Sequence, residues 1–400
     1  MRILVAHNFY GNYATGGEGF SAQADVDLLE SYGHEVLFHK RTNSEFRNLS
    51  FLKKMMFPFS MIYSSDTYRE VTRILKDFKP DVLHVHNYKF LFSPSIFQAA
   101  HDCGVKTVLS IRNYRLMAPC GLLCCNSRAC ERCVKGFPFR ILWNRCFPHQ
   151  DSLFGRALCL YYYFGTSRRV AHSDHLVDAF IALTSFAKGL LVDKGIPSKK
   201  IYVRPNFITP AEFGSMSDFP KIGAIYVGRL SSEKGVEFLI DAWRSVSLPL
   251  TVVGTGPLEE RLKKDAPSNV TFTGDLSHNE AMSLLARADF LVFPSVCYES
   301  FGRTIVESFS MKVPVIASDL GPRRDLVRHG ENGLLFESLN ADDFINKIQK
   351  TIDDPALRHR LGAEGERTFM ENYTPEINYK RLLKIYEDVV SGSINGDISF

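Results

Sequence analysis

The chain has 400 residues, 45% of them hydrophobic and 23% charged, with a formal net charge of +4 at pH 7. That composition excludes a disordered chain, a collagen-like fibre and an integral membrane protein, and the length exceeds what one hydrophobic core usually supports. The basic excess is too small to point to nucleic acid, which is not expected as a partner.

The chain opens on the apolar run Ile3–Ala6, interrupted by His7 and Asn8. So short a run makes no secretory signal, and the expectation is a cytoplasmic protein. Strands are predicted at 2–6, 35–38, 82–85, 106–110 and 179–182, then at 222–227, 249–253, 269–273, 289–293, 313–317 and 333–336. Helical patterns at 19–32, 67–78, 235–246, 278–286 and 302–311 lie between them. Such alternation implies parallel sheets covered on both faces. It pauses at Arg204–Lys221, where Pro205, Pro210, Gly214, Ser215, Ser217 and Pro220 mark a linker. The expected fold is therefore α/β, with two doubly wound Rossmann-like halves at 1–205 and 206–374 facing each other across a cleft. Ligands are expected beyond the carboxyl ends of the strands. A last helical stretch covers Pro375–Val390.

Two regions depart from the alternation. Residues 135–171 carry nine aromatics and six basic residues against the single acid Asp151. Residues 46–62 place Arg47, Lys53 and Lys54 beside Phe51, Met55, Met56, Phe57 and Phe59 with no acid at all. Basic side chains among large apolar ones suit an anionic bilayer surface, and they equally suit a core helix with a basic rim. No stretch is long enough to cross a bilayer, since the uncharged run Ala157–Ser167 falls well short of the roughly 20 residues needed.

The nine cysteines, without a secretory signal, argue against a disulfide framework. Five of them, Cys120, Cys124, Cys125, Cys130 and Cys133, crowd one short window, with Cys146 further on. A structural zinc clip and a cluster of buried thiols both fit that spacing.

Chemistry-bearing residues gather at strand ends. In the first half, Asp81–Asn87 puts His84 and His86 on one face of a strand, with His86 nearer its carboxyl end and His84 the better candidate for a satisfied buried histidine. Arg112 and Asn113 follow the next strand. In the second half, the strand ending at Val227 runs into Gly228-Arg229-Leu230-Ser231-Ser232-Glu233-Lys234-Gly235 and then a helix. Gly228 permits a tight turn, the helix offers free N–H groups, and Arg229 and Lys234 add two cations, which together suit a diphosphate. Further on, Glu299-Ser300-Phe301-Gly302 opens a helix that carries Glu307. Two carboxylates flanking free backbone N–H groups can hold sugar hydroxyls, a ribose and phosphate oxygens together. The same spacing also fits a helix cap at Glu299 and a surface residue at Glu307. Gly254-Thr255-Gly256 lacks the third glycine of a dinucleotide fingerprint and is expected only to start a helix.

The segments GRLSSEKG at 228–235, ESFGRTIVE at 299–307, VGTGP at 253–257 and GGEGF at 16–20 together resemble family four of the retaining glycosyltransferases, whose two-domain fold is called GT-B. The likeness holds in order and spacing across nearly the whole chain. It implies a metal-independent, retaining hexosyltransferase of the bacterial surface-polysaccharide type. Such an enzyme moves a sugar from a nucleotide-diphosphate donor to a lipid-linked or saccharide acceptor, peripherally bound at the inner face of the cytoplasmic membrane. By the same resemblance the first domain binds the acceptor, the second binds the donor, and the helix at 375–391 packs back onto the first. Glu307 then meets the ribose, Glu299 the donor sugar, and Arg229 and Lys234 the diphosphate. Gly228 and the helix start at Ser300, Phe301 and Gly302 complete the donor site, and Gly16 and Gly17 lie near the diphosphate and the acceptor. Many members carry a histidine where this chain has Arg112, so Arg112 becomes a candidate for a phosphate or an acidic sugar, with His86 and Asn113 on the acceptor side. No cofactor is implied. Some bacterial members carry a comparable cysteine-containing insertion. Two other activities fit the same features: a nucleotide-sugar epimerase, which needs no acceptor, and a non-catalytic nucleotide-sugar-binding subunit.

Overall fold

The computed structural model describes residues 1–10, 17–144, 146, 152–173, 175–209 and 220–397. The strands are β1 (Arg2–Phe9), β2 (Glu35–Thr42), β3 (Val82–Asn87), β4 (Lys106–Ile111), β5 (Cys124–Cys125), β6 (Arg128–Ala129), β7 (Ala179–Ala182) and β8 (Ile201–Val203). They continue with β9 (Ala224–Val227), β10 (Leu250–Val253), β11 (Val270–Gly274), β12 (Phe290–Phe293), β13 (Val315–Ser318) and β14 (Leu334–Phe336). The helices of the first half are α1 (Gly17–Ser31), α2 (Phe51–Ser60), α3 (Ser65–Phe78), α4 (Ser95–Asp102), α5 (Leu153–Tyr162), α6 (Arg168–Ala171) and α7 (Ser185–Asp193). Those of the second are α8 (Val236–Trp243), α9 (Glu259–Asp265), α10 (His278–Ala286), α11 (Arg303–Ser310), α12 (Arg323–Leu326), α13 (Ala341–Asp353), α14 (Pro355–Asn372) and α15 (Pro375–Ser391).

The chain divides into two compact units. The first comprises Met1–Leu122, Glu131–Pro205 and Asn378–Phe400, and the second Leu123–Cys130 and Asn206–Ile377. The 123–130 segment therefore departs from the expected division. It forms the β5–β6 hairpin, and its Ala129 N–H donates to the Val296 carbonyl at 3.1 Å. The final helix also divides, at Ile377/Asn378 rather than passing whole to the first unit. The middle of the expected linker, 210–219, lies outside the described residues.

In the first unit six parallel strands run in the order β2-β1-β3-β4-β7-β8. The inner strands are buried on both faces, so they read as unbroken apolar runs rather than as alternation. Ile3, Val5, Val82, Val108 and Ile181 meet Val26 and Leu29 of α1 and Leu382, Ile385, Tyr386 and Val389 of α15 in one core. That contact is the physical basis of the last helix's return to the first sheet. In the second unit the order is β11-β10-β9-β12-β13-β14, which is the Rossmann order when counted from β9. Its core gathers Trp243, Phe290, Phe336 and Phe344 around the sheet. The order reverses beside β9, between it and β12. A ligand crevice is expected beyond the carboxyl ends of those two strands.

Candidate active site

The loop after β9 carries Gly228, Arg229 and Lys234. Gly235 ends that loop in the left-handed region, at φ 70°, and a Cβ there would lie 2.2 Å from the Pro294 carbonyl oxygen. Only glycine lets the two loops approach so closely. The approach is sealed by a hydrogen bond of 3.1 Å from Val296 N–H to the Glu233 carbonyl. Lys234 is thereby brought onto Glu299, with its Nζ 2.7 Å from Oε1 and 2.8 Å from Oε2. Ser295 Oγ donates to the same Oε1 at 2.6 Å. Burial by itself would raise the Glu299 pKa, but the Lys234 ammonium and these hydrogen bonds overcome it and hold the carboxylate below its ordinary value. The residue at the start of α11 is Gly302, with φ 115° and no side chain of its own to cap the helix.

Glu307, about one turn into α11, is buried and not a surface residue. Its Oε1 accepts from Arg303 Nε at 2.7 Å, and His278 Nε2 stands 3.8 Å away. It lies on a cavity of about 590 Å³ beyond the ends of β9 and β10, whose wall also includes Gly228, Arg229, Gly254, Thr255, Gly256 and Asp275. Arg229 is exposed there, and its guanidinium makes no ion pair or hydrogen bond among the described residues. A cation with a free fork on a cavity wall is a ready diphosphate contact. Gly254 and Gly256 do more than start a helix. A Cβ on Gly254 would come 2.2 Å from the Gly228 carbonyl oxygen, and one on Gly256 would come 2.3 Å from that of Leu230, so both are needed for the cavity floor to close. Phe301 is buried with its ring on Tyr373, so among Ser300, Phe301 and Gly302 it can offer a ligand only its backbone.

The residues expected in the first unit meet at the ends of β1, β3 and β4. Asp25 of α1 is fully buried and accepts from Arg204 at 2.6 and 3.0 Å and from Arg112 at 3.0 Å. Arg112 Nε also donates to His86 Nδ1 at 3.2 Å. The Arg112 guanidinium is thus held by Asp25 and His86 on the wall of a first-unit crevice. His84 is the satisfied histidine, 2.7 Å from the Tyr386 hydroxyl and 2.8 Å from Ser110 Oγ. Burial lowers the pKa of His7 and of His84 to about 3 and that of His86 well below its ordinary value. Asn113 donates to Glu18 at 2.9 Å. Gly17 opens α1, and Gly16 lies outside the described residues.

Of the crowded cysteines, Cys124 is joined to Cys297 in a disulfide across 173 residues. Among the described residues no three His, Cys, Asp or Glu side chains come together as metal ligands, so the zinc clip finds no ligand set here. The disulfide was invisible in the spacing because Cys297 lies far outside the window. Arg303, Asp275 and the Gly254–Gly256 turn were also missed, although the i, i+4 spacing of Arg303 and Glu307 was there to be read. Nothing in the sequence signalled that Asp25 and Arg204 would meet.

Comparison with known proteins bears on this geometry. Residues 217–368 match the model of glycosyl transferases group 1, and residues 27–212 match that of Glycosyltransferase Family 4. An uncharacterized glycosyltransferase of Methanocaldococcus jannaschii is 32% identical over 169 residues, 41% of this chain and 48% of that one. A GDP-mannose-dependent alpha-mannosyltransferase of Corynebacterium glutamicum is 30% identical over 207 residues, 52% of this chain and 49% of that one. The chain spans about half the length of the curated relatives it matches. Among solved structures, Anabaena HepE in complex with UDP is similar over 97% of this chain and 100% of that one, with a TM-score of 0.65 at 16% identity. The two parallel-sheet units are those of the GT-B fold. The two family models, matched one after the other along the chain, together with the GT-B neighbours, support a glycosyltransferase of the family-four type.

Proposed function

We propose that this protein is a retaining glycosyltransferase that moves a sugar from a nucleotide-diphosphate donor to a lipid-linked or saccharide acceptor in surface-polysaccharide assembly, without a metal ion. The observation that carries the reading is the cavity of the second unit, where the free guanidinium of Arg229 and the buried carboxylate of Glu307 share one wall. A diphosphate suits Arg229 and the first N–H groups of α11, and a ribose suits Glu307. Lys234 and Glu299 face each other beside that helix start. Charge develops on the departing diphosphate and, with opposite sign, at the anomeric carbon. A fixed ammonium and a fixed carboxylate answer those two charges, and preorganised charges of this kind are the largest usual source of rate. The UDP in the HepE structure and the GDP-mannose in the name of the Corynebacterium relative support a nucleotide-sugar donor.

The acceptor reading draws on the first unit. Phe51, Leu52, Met55, Met56 and Phe59 of α2 are all more than half exposed, beside Lys53. This is the composition of a peripheral membrane contact at an anionic leaflet. No helix of the described residues is long and apolar enough to cross a membrane. The test is incubation with a panel of UDP- and GDP-sugars, with and without a lipid extract as acceptor. Acceptor-dependent transfer with retained anomeric configuration is expected. Sugar interconversion without acceptor, or donor binding without turnover, would overturn the reading in favour of an epimerase or an inert subunit.

A further inference from the structure

A second crevice lies in the first unit, beyond the carboxyl ends of β3 and β4, lined by Lys89, Arg115, Asn113, Tyr88 and Tyr162 among others. Its free volume is about 30 Å³, room for a pair of ordered waters and hence for phosphate oxygens that replace them. The nearby guanidinium groups have side-chain hydrogen-bond partners of their own: Arg112 is bound to Asp25, and Arg115 donates to the Tyr10 hydroxyl, which donates to Glu18 at 3.1 Å. Lys89 does not. Its half-buried Nζ stands 4.8 Å over the centre of the Tyr162 ring, and no carboxylate among the described residues lies within ion-pair distance of it. Burial and the charge of Arg115 lower its pKa to about 8, as befits a cation short of a counter-ion.

The backbone and the neighbouring helices single out the same place. Phe90, next to Lys89, is held at φ 88°, a conformation that a bulky side chain adopts only under constraint. Its ring packs edge-on against Phe57, the one buried side chain of α2, with centroids 4.6 Å apart. The outer face of α2 is the exposed apolar surface already described. Tyr162, under the Lys89 ammonium, is the last residue of α5, where Leu153 and Phe154 are 64% and 79% exposed. A π-helical turn, Tyr163–Ser167, follows it directly, a rare element often found at functional sites. Two exposed apolar helices thus converge on one uncompensated cation.

We propose that this crevice holds the phosphate of a lipid-borne acceptor, with Lys89 as its principal cation and the outer faces of α2 and α5 as the bed for its apolar tail. An amphiphile with an anionic head matches both features, whereas a soluble phosphate uses only the first. The inference rests on the lipid-acceptor reading above and adds the site and the head-group chemistry.

The experiment uses phosphatidylcholine vesicles containing either a polyprenyl monophosphate or phosphatidylglycerol at equal surface charge, with UDP binding measured in parallel. Wild-type protein should bind the polyprenyl phosphate vesicles more tightly than the phosphatidylglycerol ones, and free inorganic phosphate should not displace it. Lys89→Met should weaken binding to the former about tenfold, the scale of one charge-assisted hydrogen bond, and leave phosphatidylglycerol binding unchanged. Lys89→Arg should restore the difference, which separates lost charge from misfolding. Equal binding of the two lipids by wild type, displacement by inorganic phosphate, or a preference that survives Lys89→Met overturns the proposal. Any of these with normal UDP binding leaves the donor reading standing, and loss of UDP binding in the wild type would count against that reading instead.

Discussion

At the scale of single residues, Glu299 and Glu307 are two carboxylates in different electrostatic settings. Glu299 faces an ammonium and a hydroxyl, whereas Glu307 is buried against a guanidinium. Replacing Glu299 by Gln keeps its shape and its contact with Ser295 but removes the charge opposite Lys234. Turnover should fall about 10²-fold with donor affinity nearly unchanged, because the lost interaction matters most when charge develops. Glu307→Gln should instead raise the Kd for donor about tenfold at little cost to kcat, since a ribose contact is shared by ground and transition states. Steady-state kinetics and donor titration on both variants check this, and a reversed pattern means the two roles are exchanged. Lys234→Ala and Arg229→Ala should each lower kcat/KM by on the order of 10²-fold, and near-normal turnover in both would remove the diphosphate from this loop. The placement of these four residues was legible because they lie in two short motifs that follow strand ends, 228–235 after β9 and 299–307 after β12. Arg204 was not, because its partner Asp25 lies in the first helix and no local pattern links them.

At the scale of elements, the strands were legible for a simple reason. A parallel strand buried on both faces must be a short unbroken apolar run, and such runs survive in the sequence. The exceptions confirm the physics: β8 has only three residues, and β5 and β6 two each, too few for any period. The carboxyl ends of β1 and β3 hold His7, His84 and His86, all buried and neutral. An unfolded chain takes up protons at these residues near pH 6.5, whereas folded His7 and His84 do so only near pH 3. Below pH 6.5 the unfolded state therefore binds more protons, and stability falls as the pH falls. The stabilisation is fully present above pH 6.5 and declines towards pH 3, by about 1.4 kcal/mol per pH unit for each histidine. Urea unfolding at pH 7.5 and pH 5, with hydrogen exchange to locate the transition, should show the first unit weakening before the second. Midpoints that do not move with pH would mean these histidines charge freely in the folded protein.

At the scale of the whole molecule, the chain passes between its two units at 122–123, 130–131, 205–206 and 377–378. The proline- and glycine-rich linker announced the third of these passages, and the last helix hinted at the fourth. The first two were illegible, because the β5–β6 hairpin is assigned to the second unit by contacts it makes far along the chain, with Val296 and Cys297. Apart from the disulfide, a short run of hydrogen bonds and a small apolar cluster of Cys124, Val296 and Cys297 hold that hairpin. A link across 173 residues restricts the unfolded chain strongly, by up to about 5 kcal/mol on a loop-entropy estimate that measured values often fall below. Breaking it should therefore act on both the stability of the second unit and the attachment of the hairpin. In Cys124→Ser, or in wild type treated with a dithiol, the Tm of the second unit should fall by several degrees. The amides of Ala129 and Cys130 should exchange sooner than those of β9 and β12, because the hairpin loses its covalent anchor while the sheet keeps its core. The Glu299 loop, two residues beyond Cys297, keeps its hydrogen bonds from Arg323 to the Ser295 and Cys297 carbonyls, so donor binding should outlast the loss of the clip. Identical melting and identical hairpin exchange in the oxidised and reduced protein would show that the hairpin is held by its hydrogen bonds and apolar contacts alone.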